Sequence, residues 1–303
     1  MNMRNLGLPL LSIVVPVTRM ANQLGTLTEW IQDCNYQNVE IILVHDISDN
    51  ETGKELLEII QNNPNVNISL IEGKFGAPGI ARNAGLLKAN AKWVVFWDSD
   101  DQPNLKNVMQ ILQEEELKND SEIAVFIGQF KTLRQQIDWN ETVKKLDSSL
   151  IDISLNPGLW RMVFRRNVIE NCKFTNSKMA EDQNFISQID LPKMHYKIVN
   201  IHFYTYYLGV PNQLTSKSEA INDISKAISI TLIKLNSCNG ESKEFNGMLF
   251  IRQVITGITK GSPFVKLSSI KFLSIALFFS GLQTSSTILK NFTFLAKSKN
   301  RKL

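Results

Sequence analysis

Apolar runs and helical stretches alternate along the first 118 residues. Leu11–Val15 is a short β-branched run ending at Pro16, and it predicts a buried strand. Ala21–Cys34 spaces its apolar residues as a helix does. Glu40–Val44 predicts a second buried strand, and Glu51–Gln61 a helix that Ser48 or Asn50 would cap. Val66–Ile71 is a third strand. Pro78–Asn90 is a helix with proline in its first turn, where the missing N–H is not needed. Trp93–Trp97 is a fourth strand and Asn104–Lys118 a charged, exposed helix. Repeated units of this kind predict an α/β domain with a mainly parallel sheet flanked by helices. Ligands of such sheets bind beyond the carboxyl ends of the strands, so the polar clusters there are where chemistry is expected.

The second half is less regular. Glu122–Phe130 and Trp160–Phe164 predict strands, and Glu181–Ile189 a helix. His195–Tyr207 alternates as an edge or antiparallel strand would, and the polar segment Lys131–Asn156 has no clear period. From Ser216 onward three helical stretches predict a helical C-terminal extension. Within it Phe272–Leu289 lacks charges, but serine, threonine and glycine dilute its second half. A bilayer span wants about 20 predominantly apolar residues. A helix packed on the protein or lying at a membrane surface is therefore expected, rather than a spanning one.

Composition narrows the class. Hydrophobic residues make up 43% and charged residues 20% of the 303, which excludes a disordered chain and a polytopic membrane protein. From Phe245 to Leu303 there are nine Lys/Arg and no Asp/Glu, so a chain of net charge +4 carries −5 over its first 244 residues. Such a tail is either a solvated basic face or a surface for an anionic partner, a membrane or a nucleic acid. The basic residues lack aromatic interleaving and a recognisable module, so no nucleic acid is expected. Three cysteines, odd in number and without a CxxC pair, argue against a disulfide framework or zinc site and for a reducing compartment. The apolar run Leu8–Val17 holds two prolines and reads as a strand rather than a secretory segment. The expected location is cytoplasmic, at most peripheral at the inner face of the cell membrane.

Four clusters carry candidate chemistry. His45-Asp46-Ile47-Ser48-Asp49-Asn50 follows the second strand; its carboxylates suit a nucleobase or ribose, or simply a turn with capping side chains. Gly76-Ala77-Pro78-Gly79-Ile80-Ala81-Arg82-Asn83-Ala84-Gly85 opens a helix with two glycines and a cation suited to phosphate, though it is neither a P-loop nor a dinucleotide fingerprint. Trp93–Trp97 runs straight into Asp98-Ser99-Asp100-Asp101. Crowded carboxylates raise one another's pKa, a conflict that a hard divalent cation removes; an acidic turn before a capped helix is the plainer reading. Ala180-Glu181-Asp182-Gln183 opens a helix, where acids favour the dipole or one serves as a general base.

In order and spacing these clusters resemble the family 2 glycosyltransferases of the GT-A fold, over roughly residues 11–190. The matches are Ser12–Val17 as the opening strand, Val44–Asn50 as the acidic turn, Ala81–Gly85 as the Ala-Arg-Asn-x-Gly helix start, Asp98–Asp101 as Asp-x-Asp-Asp, and Glu181-Asp182 as the later acidic pair. The resemblance implies a Rossmann-like α/β fold. It implies a catalytic domain over residues 9–215, with its nucleotide-binding part at about 9–130 and its acceptor part at about 131–215. Residues 216–303 would form a basic helical region able to meet an anionic membrane.

It implies an inverting, metal-dependent transferase, hexosyl or similar. Such an enzyme would move sugar from a nucleoside-diphosphate sugar to a hydroxyl of a glycan or lipid-linked glycan, in cell-surface or extracellular polysaccharide biosynthesis. Pro16, Val17, Asp46, Arg82, Asn83, Asp98 and Ser99 would line the nucleotide-sugar site. Asp100, with Asp98 as a second ligand, would hold Mn²⁺ or Mg²⁺. Asp182 would be the catalytic base. Thr18-Arg19-Met20 and Tyr206-Tyr207-Leu208 depart from the family pattern, the latter lacking an arginine. A nucleotidyltransferase, or a degenerate transferase-like binding domain, is the alternative.

Overall fold

The computed structural model describes residues 8–118, 122–135, 139–142, 147–209 and 218–300. The chain divides into two compact units. One comprises Met1–Leu146, Leu159–Lys173 and His195–Asn212; the other comprises Asp147–Gly158, Phe174–Met194 and Gln213–Leu303. The loop Gln213-Leu214-Thr215 and the domain limit expected beside it lie outside the described residues.

The first unit is the expected α/β fold. Its strands and helices begin β1 (Leu11–Val17), α1 (Gly25–Gln32), β2 (Val39–Asp46), α2 (Asn50–Asn62), β3 (Ile68–Gly73), α3 (Pro78–Lys88) and β4 (Trp93–Phe96). Then come β5 (Gln102–Pro103), α4 (Leu105–Glu116), β6 (Val125–Gln135) and β7 (Trp139–Thr142). It is completed by β8 (Met162–Arg165), the short α6 (Arg166–Ile169) and β9 (Tyr196–Leu208), and α5 (Leu150–Leu155) falls in the other unit. The sheet runs β3-β2-β1-β4-β8-β6-β9-β5, with β7 beside β6. The first four strands in that order are parallel. β8 is antiparallel to both β4 and β6, so the sheet is mixed beyond β4. β9, expected as an edge or antiparallel strand, pairs parallel with β6 and antiparallel only with the two-residue β5. Alternation along a strand does not reveal its direction, because it records only which face is buried.

Strand periodicity places the helices. Ile13, Val15, Ile41 and Leu43 join one apolar cluster with Leu27, Trp30 and Ile31 of α1, Leu56 of α2, and Val108 and Leu112 of α4. Val14 and Val44 point the opposite way and receive α3, whose Gly85 leaves no room for a side chain against Val14 Cγ1. Each Cβ alternates across the sheet, so one strand supports helices on both faces. α2 is capped by Asp49, the residue between the two expected caps, which accepts from Glu51 N at 3.1 Å.

Among the described residues, the second unit gathers α5, α7 (Glu181–Gln188) and five C-terminal helices. These are α8 (Ser218–Ile221), α9 (Ile224–Ser237), α10 (Gly240–Lys260), α11 (Pro263–Phe278) and α12 (Leu282–Asn300), where three helical stretches were expected. Ile224, Ile228, Leu232 and Leu235 line one face of α9 at helical spacing and pack with Phe250, Ile251 and Val254 of α10 and Val265 of α11. The uncharged stretch 272–289 is broken by a turn at Gly281, whose φ of +84° suits glycine. Among the described residues no helix is long and apolar enough to cross a membrane.

Candidate active site

The carboxyl ends of β1, β2, β3 and β4 bring the first three clusters to one edge of the sheet. Pro16 and Val17 end β1 in register with Val44 and His45 of β2, and Asp46 ends β2 opposite Gly73 of β3. Parallel pairing forces this convergence, since neighbouring strands then finish at the same edge.

Asp46 is a loop clamp. Its Oδ2 accepts from Phe75 N at 3.0 Å and Gly76 N at 2.6 Å, and its Oδ1 from Ser48 N at 3.1 Å. Burial alone would raise its pKa, but the N–H donors of Gly76, Ser48 and Phe75 outweigh it and hold the carboxyl below the usual range. Gly76 itself has φ +69°, so the chain turns there into α3. His45 is buried beneath α2, with Nε2 2.9 Å from Asp49 O and Nδ1 3.3 Å from Glu72 Oε1, and it serves packing rather than the site edge.

α3 carries Arg82 inward. Its Nη2 lies 2.7 Å from Asp98 Oδ1, immediately beyond β4, and the arginine is buried while Asp98 is partly exposed. Asn83 is the next residue on that helix and is half-buried. Trp97 N donates to Val14 O at 3.1 Å, so the sheet holds the chain up to the first carboxylate. Asp98 and Asp100 are half-buried, whereas Ser99 and Asp101 are buried.

Asp101 is held from the far half of the sheet. Tyr204 Oη donates to Asp101 Oδ2 at 2.9 Å and accepts from Asp98 N at 3.1 Å, and Tyr207 N donates to Asp101 Oδ1 at 2.8 Å. Burial first, then the charges of Asp100 and Asp98, push the Asp101 carboxyl well above the ordinary range. Burial, then the charges of Asp101 and Asp98, raise the Tyr204 phenol too, which keeps it a donor. Behind it Trp160 stacks on Tyr204 and Tyr206, with ring centroids 4.6 and 5.7 Å apart. Tyr204 was not singled out in the sequence. Its only local signal is an aromatic-rich strand, and its partners are more than a hundred residues away.

Among the described residues no group of three or more acidic, histidine or cysteine side chains is arranged to hold a metal ion. Asp98, Asp100 and Asp101 nonetheless offer carboxylate oxygens, the donor type that a hard divalent cation takes. Arg82 already engages Asp98, and Tyr204 and Tyr207 engage Asp101.

Asp182 belongs to the second unit. It opens α7 after Ala180, whose φ is +59°, and its Oδ1 accepts from Gln183 N at 2.8 Å. α7 is tied to its neighbours by polar side chains. Thr231 Oγ1 donates to Asn184 Oδ1 at 3.0 Å, Ser187 Oγ donates to Asn246 Oδ1 at 2.5 Å, and Gln253 Nε2 donates to Gln183 Oε1 at 3.3 Å. Arg252 of α10 is mostly buried, which lowers its pKa, and the charge of Asp182 acts against that shift. Sequence reading passed over Arg252, which sits in a helix 70 residues after the acidic pair.

Residues 12–164, just over half of the chain, match the family described as Glycosyl transferase family 2. Minor teichoic acid biosynthesis protein GgaB of Bacillus subtilis (strain 168) is 26% identical over 210 residues, 64% of this chain and 22% of GgaB. Poly(ribitol-phosphate) beta-N-acetylglucosaminyltransferase TarP of Staphylococcus aureus (strain N315) is 26% identical over 224 residues, 70% of this chain and 66% of TarP. The chain spans 22% to 38% of the length of the first three curated relatives it matches. The crystal structure of S. aureus TarS 1-349 in complex with UDP-GlcNAc superposes with a TM-score of 0.67 at 16% identity, covering 97% of this chain and 92% of that one, a likeness of fold.

Proposed function

This chain belongs to glycosyl transferase family 2, and from that membership we propose that it transfers a sugar from a nucleoside-diphosphate sugar to an acceptor hydroxyl, with inversion. The observation that carries the reading is the cluster at the carboxyl edge of β1–β4. There a buried Arg82 pairs with Asp98 beside two more carboxylates, within the segment that matches the family. The names of GgaB and TarP, and the UDP-GlcNAc in the TarS complex, support a UDP-linked donor and a cell-surface polysaccharide acceptor, either a glycan or its lipid-linked form.

The proposed roles rest on the family motifs that these residues match. Asp46 holds the loop that leads into α3 and keeps lone-pair capacity for the nucleobase, with Pro16 and Val17 beside it. Arg82 and Asn83 shape the nucleotide pocket, Arg82 holds Asp98 for the ribose, and Ser99 lines the same site. Asp100, with Asp98, would hold the divalent cation, Mn²⁺ or Mg²⁺. When bound, that cation supplies a Lewis acid for the departing diphosphate. Asp182 accepts the proton of the acceptor hydroxyl. Attack opposite the leaving group inverts the anomeric carbon.

Asp182→Asn tests the base. Turnover should fall by about 10²–10⁴-fold with donor affinity retained. Turnover near that of the wild type would remove Asp182 from this role.

A further inference from the structure

The outer face of α11 carries large apolar side chains, interrupted by Lys271 and Ser274, where a helix on a soluble surface would be polar. Val265, Ser269 and Ala276 are the buried side of this helix. Phe264, Leu267, Ile270 and Phe278 fall on the opposite side at helical spacing, and the stripe continues through Phe279 and Leu282 at the turn into α12. Phe264, Leu267, Phe278, Phe279 and Leu282 are between 68% and 90% exposed. Exposed apolar side chains grouped on one helix face in this way mark an interaction site.

Charge selects the occupant. Lys266 and Lys271 are exposed on the same helix, Lys271 within the stripe itself, and no acidic residue occurs from Phe245 to Leu303. A second copy of this chain pressed on the stripe would bring like charges together and bury Lys271 among phenylalanines. A bilayer imposes neither cost. Lysine stems lie along the apolar layer while the ammonium groups reach lipid phosphates.

We propose that the α11 stripe, extended by Phe279 and Leu282, docks this protein flat on an anionic lipid surface. The 16 residues of α11 span about 24 Å at 1.5 Å per residue, short of the roughly 30 Å hydrocarbon core. The helix therefore lies in the interface, with its apolar side chains in the acyl boundary.

The test is co-sedimentation of the full chain with phosphatidylcholine vesicles and with vesicles containing 3:7 phosphatidylglycerol to phosphatidylcholine (about one anionic lipid in three). Binding to the anionic vesicles is expected, weaker at high salt. At least tenfold weaker partition is expected to phosphatidylcholine alone. Phe278→Asp with Leu282→Asp should lower partition at least tenfold while leaving the circular dichroism spectrum and thermal midpoint unchanged, because both side chains are exposed. Three results would overturn the proposal: no wild-type binding to anionic vesicles, equal binding by the double variant, or lipid-free dimerisation that the same substitutions abolish. The last would assign the stripe to a second copy.

Discussion

Tyr204→Phe removes one oxygen from a fully buried site and should disturb the acidic loop more than any neighbouring aromatic change. That hydroxyl donates to Asp101 at 2.9 Å and accepts from Asp98 N at 3.1 Å. Its loss takes a hydrogen bond from a buried carboxyl and leaves the Asp98 N–H without this acceptor. A buried hydrogen bond contributes about 0.5–1.5 kcal/mol and an orphaned buried partner costs about 1–3 kcal/mol, so a net loss of about 2–3 kcal/mol is expected. For a domain of 150–250 residues that lowers the thermal midpoint by roughly 4–12 °C. Thermal unfolding followed by circular dichroism measures it. A cycle with Asp101→Asn then isolates the pair, whose coupling should be about 0.5–3 kcal/mol. A midpoint within a degree of wild type, or strict additivity in the cycle, would refute the idea that β9 holds the acidic loop.

Two further perturbations follow from the same geometry. Gly85→Ala places a methyl against Val14 Cγ1 and Val44 Cγ2 where α3 meets the sheet, and overpacking of this kind costs about 1–3 kcal/mol. A urea midpoint equal to that of wild type would show that the close approach does not exist. The Asp46 carboxyl is held below its ordinary range in the folded protein, so its contribution is fully present above the ordinary aspartate value of about 3.9 and is lost as pH falls through the lower folded one. Asp46→Asn should therefore flatten the acid limb of the stability profile below about pH 4, and an unchanged slope there would remove the carboxylate clamp.

The parallel half of the fold was legible because buried β-branched runs and amphipathic helices alternate cleanly from Leu11 to Glu116. The acidic clusters could be placed at strand ends for the same reason. What escaped was long-range. Nothing local marks Tyr204 as the partner of Asp98 and Asp101, or Arg252 as a neighbour in charge of Asp182, because contacts across 106 and 70 residues leave no period in the chain. Gly85 read as part of a nucleotide motif, yet its structural demand is helix-to-sheet packing. His45, beside the acidic turn but still within β2, is fixed by Asp49 O and Glu72 under α2. The antiparallel pairing expected of β9 holds with β5, but its longer parallel pairing with β6 was not legible because alternation reports burial alone.

The central claim, a nucleotide-sugar site at the carboxyl edge of β1–β4, is tested most directly by the thermal stability of the full chain against a panel of nucleoside-diphosphate sugars, with and without Mn²⁺. A donor present at 100 times its Kd should stabilise the protein by about 2.7 kcal/mol, with Mn²⁺ strengthening the effect and Asp100→Ala abolishing that metal-dependent part. Folded protein that no donor stabilises, with or without the metal, would contradict the account.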